Sequence, residues 1–196
     1  MAHRIITVSR QFGSGGRTIG RTAAENLGIP CYDHEILDHL AEKSGFSKDY
    51  IAHHGEYTAH ANWFANAMNN GSNRFGYPSN QDQIWALQKK LILEIAEKED
   101  CVIVGRCADV ILEGKADLLK VFIHASFEKR AERIVTVYGE TEEPTEKRLK
   151  NKDKRRAAYY QYYTDHPWGE AMHYDIALDS GTIGIDKCVE ILVDLF

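Results

Sequence analysis

The chain has 196 residues, 43% of them hydrophobic and 27% charged, and a formal net charge of −5. That is enough apolar material to bury one domain spanning 1–196. An acidic balance argues against a general binder of nucleic acid or anionic membrane, since both partners demand a broad basic face. No run of about 18 apolar residues occurs and MAHRIITV leads straight into strand-like sequence, so no membrane span is expected and the expected location is cytoplasmic.

In chain order, Arg4 to Val8 is a β-branched run suited to a buried strand. The glycine turn FGSGG then leads into a helix from Arg17 to Leu27, with Ile19, Ala23 and Leu27 on one stripe and Gly28 as its stop. A short strand, CYD, follows Pro30. The segment HEILDHLAEKSG has helical spacing at Ile36, Leu37, Leu40 and Ala41, and Ser47 is suited to cap a further short helix. Residues 55–83, rich in Asn, Gly and Ser with scattered aromatics, read as a polar insertion. A helix is expected over Asp82 to Lys98, then a buried strand at CVIV, Cys101 to Val104, and another at Leu118 to His124.

Ser126 is a good N-cap for a helix that runs to Gly139. Pro144, in an N1-like position, opens a long basic and then aromatic helix, and YDIAL and Ile185 to Leu195 supply a last strand and a last amphipathic helix. Strands this apolar, alternating with helices, predict a parallel sheet covered on both faces, an α/β architecture. The four cysteines, Cys31, Cys101, Cys107 and Cys188, contain no CxxC pair and suit packed thiols. His53, His54 and His60 cluster without a zinc-type spacing and read as polar surface.

The stretch ITVSRQFGSGGRTIG carries the chemistry. A strand, a glycine turn and a helix gather main-chain N–H groups and the positive helix end around one small volume, which is an anion site by geometry. Gly13, Ser14, Gly15, Gly16, Arg17 and Thr18 form the expected nucleotide cradle. The usual signature GxxxxGK[ST] is broken: Arg10 stands at the first glycine, Gly16 at the lysine, and Thr18 comes two residues later. Arg17, beside the vacant lysine position, is the expected substitute cation, and Thr18 the expected indirect contact to Mg²⁺.

With CVIVGRCADVIL, KVFIHASFEKRAERI and KDKRRAAYY following in order, the chain resembles the cytidylate kinase-like family over nearly its whole length. The resemblance implies a three-layer α/β/α P-loop kinase fold with a parallel sheet, a helical lid at about 126–156 and a helical or loop segment on the substrate side. It implies ATP-dependent phosphoryl transfer to a nucleoside monophosphate such as CMP or dCMP, or to a similar phosphorylated small molecule, with Mg²⁺ accompanying ATP. Arg130 and Arg133 become lid arginines that act with Arg17 on the transferring group. Asp33, Arg106, Asp153 and Arg156 fall on the acceptor side, as does His39, which stands where the family has an arginine. Cys107 stands where it has an acid.

Other readings stay open at this point. Asp153 and Arg156, three apart, also suit a surface ion pair, and Glu128 and Glu132 also suit partners for Arg130 and Arg133. The seven basic residues between Lys147 and Arg156 suit either a solvated face or a surface that steers anionic nucleotides inward. The four tyrosines at 159, 160, 162 and 163 cannot share one helix side, so core packing and base stacking divide them. A non-catalytic nucleotide-binding module and a kinase with a non-nucleotide acceptor are the functional alternatives.

Overall fold

The computed structural model describes residues 3–33, 80–139 and 141–196. Its elements are β1 (Arg4–Arg10), α1 (Gly16–Leu27), β2 (Cys31–Tyr32), α2 (Asn80–Lys98), β3 (Cys101–Val104), α3 (Ala108–Ile111) and β4 (Asp117–His124). There follow α4 (Phe127–Tyr138), α5 (Thr145–Thr164), a 3-10 turn (Ala171–His173), β5 (Ile176–Asp179), α6 (Ser180–Ile183) and α7 (Ile185–Asp194). The strands form one parallel sheet in the order β2-β3-β1-β4-β5, with Ile5 opposite Cys101 and Leu118.

Alternation along β1 decides what covers each face. Ile6 and Val8 pack with Ile19 and Ala23 of α1 and with Cys188, Val189 and Leu192 of α7. Ile5 points the other way, onto Ile84, Leu91, Ile92 and Ile95 of α2 and Ala108 and Ile111 of α3. These are the three layers, and each fully buried Ile or Leu contributes about 1.5–3 kcal/mol. Truncating Ile92, which is 0% exposed at the centre of α2, would open a cavity under β1 and β3.

β1 is central because its connections leave in opposite directions, toward β2 on one side and, after β3, toward β4 on the other. The carboxyl ends of β1 and β3 therefore border a crevice at a topological switch, where open parallel sheets bind ligands.

Three details differ from the sequence expectation. Pro144 is the N-cap of α5 and not its first helical residue, because its ψ of 137° is extended. The one-turn helices α3 and α6 went unread, being too short to show a period. β1 runs on to Arg10, two residues past the expected end, and carries that arginine to the lip of the crevice. The expected helix from residue 34, the short helix after Ser47, the insertion up to residue 79 and the histidines 53, 54 and 60 lie outside the described residues.

Candidate active site

The glycine loop links β1 to α1 and is held from behind by polar contacts to β4. Ser14, 1% exposed, sets its Oγ 2.9 Å from the Gln11 carbonyl and 3.1 Å from that of Ile123. The Ser180 hydroxyl lies 2.6 Å from the Ser14 carbonyl, and Gln11 Oε1 accepts from the Ala125 N–H at 3.2 Å. Gly13 adopts φ +82°, and a Cβ there would lie 2.8 Å from the Arg130 carbonyl and from Ile134 Cγ2, so the loop packs against α4 too closely for a side chain. Helix α1 has Gly15 as its N-cap residue, with no side-chain cap and no acid in its first turn, which leaves the positive end of its dipole for an outside anion.

A second structure stands beside it. Gly105, Arg106 and Cys107, just after β3, all have positive φ (78°, 62° and 55°), and two such non-glycine residues in succession cost about 1–3 kcal/mol each. Gln88 of α2, fully buried, braces this turn by donating from Nε2 to the Arg106 carbonyl (3.3 Å) and to the Tyr159 hydroxyl (3.0 Å). The strained turn sets Arg106 into the wall of an open cavity at the carboxyl ends of β1 and β3. Arg10 from β1, Arg156, Tyr159 and Tyr160 from α5, and Trp168 also line it, and among the described residues no carboxylate does.

Behind the cavity, Tyr160 donates to Asp109 Oδ2 at 2.7 Å. Burial pushes the Tyr160 hydroxyl well up, so it stays a donor, and burial also raises the Asp109 carboxyl while the Tyr160 hydrogen bond pulls it partly back. Burial pushes Tyr174, next to both, up to about 12. Of the remaining tyrosines, Tyr163 stacks on Trp85 at 4.3 Å and Tyr162 is 53% exposed.

The arginines expected from sequence divide between these structures. Arg106 and Arg156 reach the cavity, and Arg156 also donates to the Arg10 carbonyl at 3.0 Å. Arg133 lies over the start of α1: it donates to Thr18 Oγ1 at 3.1 Å, and a Cβ on Gly15 would come within 3.2 Å of its Nε. Arg17 turns its Nε to the Asp33 carboxylate, which ties the start of α1 to the end of β2. Arg130, 8% exposed, donates to the Ala125 carbonyl, the Phe12 carbonyl and Asp153 Oδ2 (2.5 Å).

Asp153 also accepts from the Phe12 N–H at 2.7 Å, so its partner is Arg130 and not Arg156, three residues on. Among the described residues Glu132 is paired with Lys129 and not with Arg130 or Arg133. His39 lies outside the described residues. Arg10 and Gln88 had no role assigned from sequence. The available signal for Arg10 was that it and Gly16 break the same motif.

A family model described as the cytidylate kinase-like family matches residues 5–182. The chain belongs to that family. It is similar to a cytidylate kinase from Methanopyrus kandleri, at 25% identity over 96% of this chain and 90% of that protein. Among solved structures, an uncharacterized protein from Eubacterium ventriosum has 26% identity and a TM-score of 0.73, with 98% of each chain covered. A shikimate kinase from Bacteroides thetaiotaomicron, 15% identical with a TM-score of 0.54 over 100% of this chain and 98% of that one, shares the fold. This member of the cytidylate kinase-like family therefore has the three-layer P-loop kinase fold, with a cradle built from main chain and a cationic cavity next to it.

Kinases of this kind use ATP with a divalent metal. Among the described residues no group of three or more His, Cys, Asp or Glu is set to hold a metal ion, and the Thr18 hydroxyl already accepts from a guanidinium. These residues do not fit direct ligation of a resident metal.

Proposed function

We propose that this protein transfers the γ-phosphoryl group of ATP to the phosphate of a small phosphomonoester, with a cytidine monophosphate as the first candidate acceptor. The observation that carries this reading is the convergence of Arg106 and Arg156 on one cavity at the carboxyl ends of β1 and β3, next to the uncapped start of α1. The Methanopyrus protein's name supports the choice of nucleotide.

In this reading the amides at the start of α1 hold the β-phosphate of ATP, and Arg133, already over that helix end, faces the transferring group. Arg106 and Arg156 fix the acceptor phosphate. One of its oxygens attacks the γ-phosphorus, the bond from that phosphorus to the β–γ bridging oxygen breaks, and ADP leaves with the negative charge. Little covalent help is needed: alignment and charge neutralisation supply the rate. Thr18 reaches the metal of ATP only through water.

Arg130 and Asp153 are positioning residues, since their polar groups are taken up in tying the loop at Phe12 to α4 and α5. Those helices, about 126–156, form the lid, and the basic face of α5 steers anionic substrates inward. Arg17, held by Asp33, links the two substrate sides. Coupled detection of ADP release over a panel of nucleoside monophosphates tests the reading, with turnover expected for CMP or dCMP above the rest. A folded chain that binds ATP and turns over none of the panel would refute it.

A further inference from the structure

Two departures from the usual phosphate-loop pattern lie six residues apart, Arg10 at its first glycine and Gly16 at its lysine. In space they touch. A Cβ built on residue 16 would lie 2.5 Å from Arg10 Cβ and 3.0 Å from its Cγ, with Ile123 Cβ 3.1 Å away. The stem of Arg10 thus fills the space that a lysine stem at 16 would need. It runs on to Gly105, where an added Cβ would collide with Arg10 Nη1, and ends in the cavity wall with Arg106 and Arg156.

We infer that Arg10 is the relocated phosphate-binding cation of this loop, and that residue 16 is glycine because residue 10 is arginine. The charge normally carried at the start of the helix is carried from the last residue of β1 and presented from the acceptor side. That the anion it meets is the acceptor's phosphate rests on the phosphoryl-transfer reading above.

Chemistry narrows the ligand class. Three guanidinium groups line one cavity to which, among the described residues, no carboxylate contributes, and such a set of donors calls for a group with two negative charges and several acceptor oxygens. A phosphomonoester dianion meets that need. A neutral hydroxyl or a single carboxylate does not. Arg17, the expected substitute, is turned to Asp33 and is absent from the cavity lining.

Inorganic phosphate is the probe, with affinity read by calorimetry and by protection against thermal unfolding. Arg10→Met keeps an unbranched stem and removes the charge, and phosphate should bind roughly ten- to a hundredfold more weakly. Gly16→Ala should lower the melting temperature in the presence of Arg10 and do so less in the Arg10→Gly background. The exchange Arg10→Gly with Gly16→Lys should bind phosphate more tightly than Arg10→Gly alone.

Phosphate affinity unchanged in Arg10→Met, or a Gly16→Ala penalty equal in both backgrounds, would overturn the inference. Should Arg10→Gly fail to fold, the Arg10→Met titration decides. If the wild-type chain shows no turnover while its phosphate affinity still depends on Arg10, the kinase reading fails and the assignment of Arg10 stands.

Discussion

In the proposed reaction the glycine loop and the cavity beside it solve one problem, holding negative charge, by opposite means. The loop uses main chain: glycines with no room for a Cβ, a helix end with no cap, and polar contacts from Ser14, Gln11 and Ser180 that fix the backbone from behind. The cavity uses side chains brought from β1, from the strained turn after β3 and from α5. The first is therefore broken by adding an atom and the second by removing a charge. The largest effect tests the second half of that statement. Arg106→Met should lower kcat/KM for the acceptor about 10²–10³-fold in the coupled assay. Nearly all of it should appear on the acceptor, with binding of ATP little changed.

Adding an atom to the loop is next in size. Gly13→Ala forces an L side chain into φ +82° against the Arg130 carbonyl and Ile134, and should cost about 3 kcal/mol, read as a fall in the denaturation midpoint. Unchanged stability would mean that the loop is not packed on α4 as described, and the contrast between the two regions would fail.

The same contrast explains what could be read in advance. The loop is local: three glycines in a window of four, after a β-branched strand, specify it without reference to the rest of the chain. So do Ser126, which accepts from the Lys129 N–H as its helix cap, and Gly28, whose N–H closes the end of α1. The cavity is not local. Spacing of three pointed Asp153 to Arg156, whereas folding delivered Arg130, 23 residues away, because helix α4 docks alongside α5 and the Phe12 N–H lies within reach of the same carboxylate. Arg10 looked like a missing glycine. Its role depends on Gly16 and Gly105 leaving its path open, a relation no single-segment pattern contains. Nothing in its own segment marks Gln88, and only the fold brings it under the turn at Arg106.

Asp153 is the tie between the two regions, so its removal sharpens the comparison. Asp153→Ala strands Arg130, whose side chain is 9% exposed, and leaves the Phe12 N–H without its acceptor. Partial exposure of Asp153 keeps the penalty below that of a fully buried pair, at about 2 kcal/mol, or a melting temperature roughly 5 °C lower. Activity should fall through misplacement of the loop, and lowered kcat with ATP affinity unchanged would contradict that account.

The smallest effect lies behind the cavity, and its dependence on pH identifies it. Burial holds Asp109 above its ordinary value of 3.8, so the stability belonging to its protonated form is complete below 3.8 and is lost as pH rises through the raised value. The Tyr160 hydroxyl limits that loss by donating to the carboxylate, and nearby Lys120 adds a weaker favourable field. Tyr160→Phe removes the donor, drives Asp109 further up and deepens the loss. The variant should therefore lie close to the wild type in acid and fall behind as pH climbs. Its deficit should level off at about 1–2 kcal/mol near pH 7, the size of a hydrogen bond to a charged acceptor. Chemical denaturation at pH 4 and pH 7 reads the difference. An equal deficit at both values would mean that Tyr160 acts by packing alone, and that the cavity floor, unlike its arginine wall, owes nothing to charge.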